Sequence, residues 1–262
     1  MDFLSEIVAK KRERVETARA IVSDEEMFAK AMKMRVRAES HALLNALSGQ
    51  GVNVIAEFKR RSPSRGLIRA EANPATIAES YKAGGAVAIS ALTEEDYFDG
   101  SLADLRSVKE AVDLPVLRKD FIIDEYQVYE AAAAGADAVL LIVAALDDAL
   151  LTRLRQLAED QLEMDALVEV HTGDELQRAV ACGANLIGIN NRNLSTFEVS
   201  LETSLQLASE APAGVTLVSE SGLHSSSDIR RLREVGYRGF LIGESLMRAE
   251  RPEDALRGLI GG

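Results

Sequence analysis

A chain of 262 residues can hold one large domain or two small ones, and its 47% hydrophobic content is enough for a core of ordinary size. The formal net charge of −12 argues against a general nucleic-acid partner or an anionic membrane surface. A single cysteine, Cys182, excludes an intrachain disulfide; with a charged N-terminus unlike a signal peptide and no long apolar run, the expected location is the cytoplasm.

Residues 2–48 read as helical. Phe3, Leu4, Ile7, Val8, Val15 and Ala18 follow helical spacing, with Lys10-Lys11-Arg12 on the remaining face. Ser23-Asp24-Glu25-Glu26 resembles a capped start, predicting a short helix over 27–34. A third helix is expected over 40–47, ending at Gly49. From Asn53 the rhythm changes to short apolar runs, each followed by an amphipathic helix. The runs are Val54-Ile55-Ala56, Val87-Ala88-Ile89, Pro115-Val116-Leu117 and Ala138-Val139-Leu140-Leu141. They continue with Ala166-Leu167-Val168, Leu186-Ile187-Gly188-Ile189, Val215-Thr216-Leu217-Val218 and Gly239-Phe240-Leu241-Ile242. Glycines near 84, 135, 183 and 236 mark helix ends before strands. Eight βα units fit an α/β (β/α)8 TIM barrel. A doubly wound open sheet shares the rhythm, but no GxGxxG fingerprint follows the first strand. With no linker in the sequence, the expectation is one domain over 1–262, with 1–50 a helical extension packed on the barrel.

Barrel chemistry sits where strands end at their C-terminal side, so those ends are the test. The first strand ends in Glu57, Lys59, Arg60 and Arg61, followed by the polar loop Ser62-Pro63-Ser64-Arg65-Gly66. By itself this stretch reads equally well as a solvated ion pair at a sheet edge. The second strand leads to Tyr97 and Phe98, placed to cover a ligand, and the third to Arg118-Lys119-Asp120-Phe121. The fourth ends in apolar Leu140-Leu141-Ile142, the fifth in Glu169 and His171, and the sixth in Asn190-Asn191-Arg192. The seventh ends in Glu220-Ser221-Gly222 and the eighth in Gly243-Glu244-Ser245. Ionisable or amide groups close six of the eight strands and should meet in one mouth.

Small residues at Ser221, Gly222, Gly243 and Ser245, just before helical sequence, would expose backbone amides to a phosphate. Glu244 would contribute only its amide, because its carboxylate would repel the anion. Lys59, Lys119 and Arg192 suit a doubly anionic substrate; Glu57, Glu169 and Glu220 are candidate bases and charge balancers. A lysine among other cations is expected to have a lowered pKa. No two of His41, His171 and His224 have ligand spacing, so no metal is expected, and Cys182 in an apolar helix end reads as a packing thiol.

The segments IAEFKRRSPSRG, LRKDFI, ADAVLLIV, LVEVH, IGINNRNL, SESG and LIGESLM, in this order across nearly the whole chain, resemble the indole-3-glycerol phosphate synthase family. The resemblance implies a cofactor-free (β/α)8 enzyme that closes the indole ring of 1-(2-carboxyphenylamino)-1-deoxyribulose 5-phosphate with loss of carbon dioxide and water. By the same resemblance Lys119 is the general acid and Glu169 assists later proton transfers. Lys59 contacts the anionic groups and joins the dehydration, and Glu57 pairs with it as a base. Asn190 and Arg192 orient the substrate; Ser221, Gly222, Gly243 and Glu244 cradle phosphate, with Glu220 hydrogen-bonding nearby. Phe98, Phe121 and Leu140 surround the aromatic ring, while Ser62 and Pro63 form the rim of a mobile first loop. Family members often carry serine where this chain has Glu244, which removes a hydroxyl contact. Phosphoribosylanthranilate isomerase is a weaker match, since its first strand typically ends in a catalytic cysteine. A non-catalytic phosphate-binding barrel would need a degraded catalytic position, and none is evident. The expected partner is the small phosphorylated aromatic-sugar substrate, with no nucleic acid and no membrane. The chain is expected to act as a monomer, with other tryptophan-pathway enzymes as candidate protein partners.

Overall fold

The computed structural model describes residues 3–194 and 196–261; the remaining positions of the expected domain 1–262 lie outside the described residues. Three helices lead in: α1 (Phe3–Ile21), α2 (Asp24–Arg35) and α3 (Ala42–Leu47). Ser23 caps α2 by accepting the Glu26 amide, so that helix starts before the predicted 27. Strand β1 (Asn53–Phe58) is buried along its whole length. The stretch expected to be a polar loop instead pairs with itself, β2 (Arg61–Ser62) running antiparallel to β3 (Gly66–Leu67). Arg60 anchors that ribbon, its carbonyl accepting the Ile68 amide at 2.8 Å.

The repeating part follows as α4 (Pro74–Gly84), β4 (Ala88–Leu92), α5 (Leu102–Ala111), β5 (Val116–Lys119), α6 (Glu125–Ala133), β6 (Ala138–Ile142) and α7 (Asp148–Gln156). It continues with β7 (Asp165–Val170), α8 (Gly173–Ala181), β8 (Leu186–Asn190), α9 (Glu202–Ala208), β9 (Thr216–Glu220) and α10 (Ser226–Glu234). The last elements are β10 (Gly239–Ile242), α11 (Glu244–Arg248) and α12 (Pro252–Ile260). The eight predicted runs form one closed parallel barrel in the order β1-β10-β9-β8-β7-β6-β5-β4. Closure is made by β1, which aligns Val54 with Phe240 on one side and Glu57 with Ser90 on the other.

Apolar side chains pack in two shells, because every barrel strand presents alternate residues to the helices and to the barrel interior. Val54, Val116, Val139, Val168 and Ile187 meet the helices. Ile55, Leu117, Leu140, Leu167 and Leu241 fill the interior together with Leu43 and Leu47 of α3. Cys182 is buried in the outer shell, its thiol directed to the Ala179 carbonyl.

The leader touches the barrel at both ends and along one side. At the strand starts, Asp165 of β7 accepts the Leu43 and Leu44 amides of α3 at 2.8 and 3.0 Å. Asn53 ties the same end by donating to the Leu47 and Arg238 carbonyls. Along the side, α2 packs against α6. At the strand ends, buried Lys11 of α1 lies 2.8 Å from Asp120, the residue after β5. Asp120 also accepts from Thr93 and Arg118, and Arg118 reaches Glu130 of α6 at 2.9 Å. Arg118 and Asp120 therefore spend their charges on each other, on α1 and on α6, not on the mouth their sequence position suggested. Burial alone would raise the Asp120 pKa, but Lys11 and Arg118 outweigh it and hold it at about 2.

Removing one partner of a buried pair strands the other charge. Lys11→Ala is expected to lower the unfolding free energy by about 3 kcal/mol, whereas Lys10→Ala, whose pair with Glu6 is exposed, should leave it nearly unchanged. Urea unfolding of the two variants side by side checks this; equal losses would contradict it.

Candidate active site

The C-terminal ends of the strands surround one cleft, and the catalytic, substrate-binding and phosphate-binding residues expected by resemblance line it, whereas Tyr97 does not. Its floor is a three-membered charge cluster. Lys119, at the end of β5, places its Nζ 3.1 Å from Glu169 of β7 and 2.9 Å from Glu220 of β9. The two carboxylates are 2% and 1% exposed, so the ammonium is their main compensation. A second pair lines the same cleft, Lys59 with Glu57, at 2.5 Å at the end of β1. Glu57 is 3% exposed, which rules out the solvated ion pair at a sheet edge. Tyr81 of α4 fixes this strand end by donating to the Glu57 carbonyl at 3.0 Å.

The protonation states follow from who faces whom. Burial would lower the Lys119 pKa, but Glu169, Glu220 and Glu57 more than reverse it, leaving it raised. The lowering expected for a lysine among cations does not occur, because its neighbours within contact distance are carboxylates. Burial also opposes ionisation of Glu169, yet Lys119, His171 and an Asn190 hydrogen bond hold it down at about 2. Glu220 has Lys119 alone against burial and the charges of Glu169 and Glu57, and is pushed up to about 7. The trio thus separates into one firm carboxylate, one that holds a proton near neutrality, and one firm ammonium.

An apolar wall stands beside the cluster. The Phe98 and Phe121 rings lie 6.4 Å apart, centroid to centroid, with buried Leu140 also lining the cleft. Phe98 is placed by Glu94, whose carboxylate accepts the Asp96, Tyr97 and Phe98 amides and folds the loop after β4. Tyr97 does not cover the cleft as expected; its hydroxyl donates to Glu6 of α1 at 2.6 Å and its ring packs edge-on against Phe3.

Opposite lies a polar rim. Arg192 is turned by its amide donating to Asn190 Oδ1, while its guanidinium donates to Ser64 Oγ at 3.3 Å and to the Phe197 carbonyl. Ser62 and Pro63 line the cleft from the ribbon side, and the Ser62 hydroxyl is buried without a hydrogen-bond partner. At the ends of β9 and β10 the backbone itself faces the cleft. Ser221 and Gly222 are both left-handed, with φ of 64° and 77°, so the chain turns sharply as it leaves β9. Gly243 immediately precedes the short helix α11, and a side chain there would collide with Glu57. The Ser245 hydroxyl is a second buried group without a partner. Glu244 engages Arg65 at 3.4 Å and Arg248 at 3.1 Å. Buried polar groups without partners are uncommon, and here they face a cleft a polar ligand can enter. Among the described residues no group of three or more His, Cys, Asp or Glu side chains is arranged to hold a metal ion.

Two contributors were not legible as site residues. Phe3 lines the cleft from α1, touching the Phe197 ring at 5.6 Å; its helical spacing marked it only as a packing residue. His171 lies 3.4 Å from Glu169. Its signal was the strand alternation, which sends residues 169 and 171 to the same side.

A closed parallel barrel with acids, lysines and exposed amides gathered at its strand ends is the architecture of a (β/α)8-barrel enzyme. The family model described as indole-3-glycerol phosphate synthase matches residues 4–259. An indole-3-glycerol phosphate synthase of Bacteroides thetaiotaomicron is 44% identical over 261 residues, covering 99% of this chain and 98% of the relative. The chain belongs to the indole-3-glycerol phosphate synthase family, the ring-closing carboxy-lyases of tryptophan biosynthesis. Among solved structures, the 3-hexulose-6-phosphate synthase of Salmonella typhimurium superimposes with a TM-score of 0.65 at 11% identity, covering 80% of this chain and 97% of that one. The N-acetylmannosamine-6-phosphate 2-epimerase of Clostridium perfringens gives 0.62 at 15% identity, covering 83% and 95%. At such identities these two share the fold and nothing further is taken from them.

A carboxyl whose folded pKa is raised makes the native state the better proton binder between about pH 4.5 and 7. Its effect on stability is therefore most favourable below its unfolded value and declines as pH rises to about 7. Carbon-detected NMR of the glutamate carboxyls should show one titrating near 7, absent in Glu220→Gln and moved higher in Lys119→Met. Glu220 titrating with the ordinary glutamates would refute the assignment.

Proposed function

We propose that the mouth described above performs the family reaction with the following division of labour. The phosphate of 1-(2-carboxyphenylamino)-1-deoxyribulose 5-phosphate rests on backbone amides at Gly222, Gly243, Glu244 and Ser245, with Ser221 completing the turn. The aromatic ring lies against Phe98, Phe121 and Leu140. Lys59 and Arg192 meet the carboxylate, and Asn190 holds both Arg192 and Glu169. Lys119 protonates the ribulose carbonyl oxygen as the ring carbon attacks it. Carbon dioxide then leaves, and loss of the new hydroxyl as water, assisted by Lys59, yields the indole after a final deprotonation in which Glu57 is the base. Glu169 shuttles protons beside Lys119, and Glu220 hydrogen-bonds the same ammonium. Ser62 and Pro63 form the rim over the bound substrate.

The observation that carries this reading is the Lys119 ammonium held between two buried carboxylates at the foot of an apolar wall. Its raised pKa keeps it fully charged at neutral pH, so the donor is always loaded. Proton transfer becomes favourable only as the carbonyl oxygen gains negative charge, which places the stabilisation in the transition state. Two fixed cations are needed because the departing carboxylate and the developing alkoxide are charged at different places.

We also propose that the leader and the barrel form one domain, tied by Lys11–Asp120 and α3–Asp165, and that the protein works as a cytoplasmic monomer. No helix among the described residues is long and apolar enough to cross a membrane.

Indole fluorescence from the carboxyphenylamino substrate is the direct assay. Lys119→Ala is expected to abolish turnover, a loss of about 10³-fold or more, with substrate still binding by calorimetry. Near-normal single-turnover chemistry would remove Lys119 from the acid role. Glu169→Gln should slow chemistry while leaving inorganic phosphate binding intact; loss of binding would make Glu169 a structural carboxylate.

A further inference from the structure

Glu169 and His171 stand between two cavities. The mouth is lined by Glu169 and not by His171; a second cavity is lined by His171, Thr172, Glu175, Asn191 and Ser200 and not by Glu169. His171 bridges the two. Its Nδ1 lies 3.2 Å from Glu175 Oε2, and its Nε2 lies 3.4 Å from Glu169 Oε1. That Nε2 is buried and makes no hydrogen bond. The other Glu169 oxygen is 3.1 Å from Lys119 Nζ. Glu175, His171, Glu169 and Lys119 thus stand in a row with successive N···O separations of 3.2, 3.4 and 3.1 Å, ending at Glu175, whose side chain is 18% exposed.

The family reaction creates a use for such a series. A substrate carboxylate leaves as neutral carbon dioxide and a hydroxyl leaves as water, so each turnover takes up one proton from solvent. On the reading that Lys119 gives its proton to the carbonyl oxygen, its neutral amine must be recharged while the substrate's ring and phosphate fill the mouth. We propose that His171 recharges Lys119 through Glu169, drawing the proton from the second cavity. The imidazolium gives its Nε2 proton to Glu169 Oε1; rotation of the resulting carboxyl group turns that proton toward Lys119, and the amine takes it, which leaves Glu169 ionised again. His171, left with its Nδ1 proton, resets by turning its ring so that the bare nitrogen faces Glu175, where it takes a proton from Glu175 or from water. Only bonds to hydrogen change, and one proton enters. His171 does not touch the substrate; it acts through Glu169.

The surrounding charges favour this direction. Burial would lower the His171 pKa, but Glu175 on α8, Glu169 on β7 and Glu220 on β9 outweigh it and raise it. Arg192 and Glu198 line the same cavity. Lys119 is the largest influence holding Glu169 ionised, so once Lys119 is neutral Glu169 can carry a proton in transit.

The test is stopped-flow indole fluorescence with substrate in excess over His171→Ala, His171→Gln and Glu175→Gln proteins. His171→Ala should complete the first turnover at the unsubstituted rate and then fall about tenfold or more in steady state. Added imidazole should restore that steady state in proportion to its concentration. Glu175→Gln should move the alkaline limb of the steady-state profile to lower pH, because His171 loses the carboxylate that holds its proton. First turnover and steady state falling together without imidazole rescue, or an unchanged steady state, would overturn the relay. Lys119→Met must abolish the first turnover itself; if it does not, the reading of Lys119 as donor fails, whatever His171 does.

Discussion

One ammonium between two buried carboxylates is the constraint around which the mouth is built. Lys119 neutralises one negative charge, and Glu169 and Glu220 together carry two, in a place that water scarcely reaches. The surplus has to be absorbed, and the molecule absorbs it unequally. Glu169 receives His171 and Asn190 as additional partners; Glu220 receives none and keeps a proton near neutrality. The space for Glu220 exists because residue 188 on the neighbouring strand β8 is glycine, where a side chain would collide with its carboxylate. Glu57 is accommodated against Gly243 in the same way. Charge placement and backbone choice are therefore parts of a single arrangement.

A second electrostatic cluster lies one residue away in sequence. Strand alternation turns Lys119 toward the mouth while Arg118 faces the helices, where it joins Asp120, Lys11 and Glu130. The two clusters share a strand and have different duties. One holds charges that a substrate can meet; the other fastens α1 and α6 to the strand that carries Lys119. Four consecutive residues, Arg118 to Phe121, thereby supply an anchor, a cation at the mouth, a tether and part of an apolar wall.

The fold was legible because its signals are local. Eight apolar runs separated by glycine-ended helices leave little choice but a closed barrel, and Gly85, Gly135, Gly183 and Gly236 are all left-handed where helices stop. The mouth was legible because strand ends in a barrel must converge, which placed Glu57, Lys119, Glu169 and Glu220 together. What escaped the sequence depends on directions that spacing does not carry. Tyr97 and Phe98 are adjacent, yet the carboxylate of Glu94 fixes their amides so that one ring faces α1 and the other the cleft. The Lys119 pKa was misjudged in sign because its closest neighbours, Glu169 and Glu220, lie 50 and 101 residues further along. The ribbon at Arg61–Ser62 was missed because two-residue strands leave no periodicity to detect.

The leader's attachments carry a consequence for how the protein comes into being. Its partners are late: Asp165 lies 122 residues beyond Leu43, and the Arg238 carbonyl lies 185 residues beyond Asn53. During synthesis the three helices leave the ribosome well before the residues that will hold them exist. They must wait, half-made, until β5, α6 and β7 have followed them. Helices made before the barrel therefore settle only once the chain has reached Asp165, and their docking joins the two ends of a sheet that is still being built.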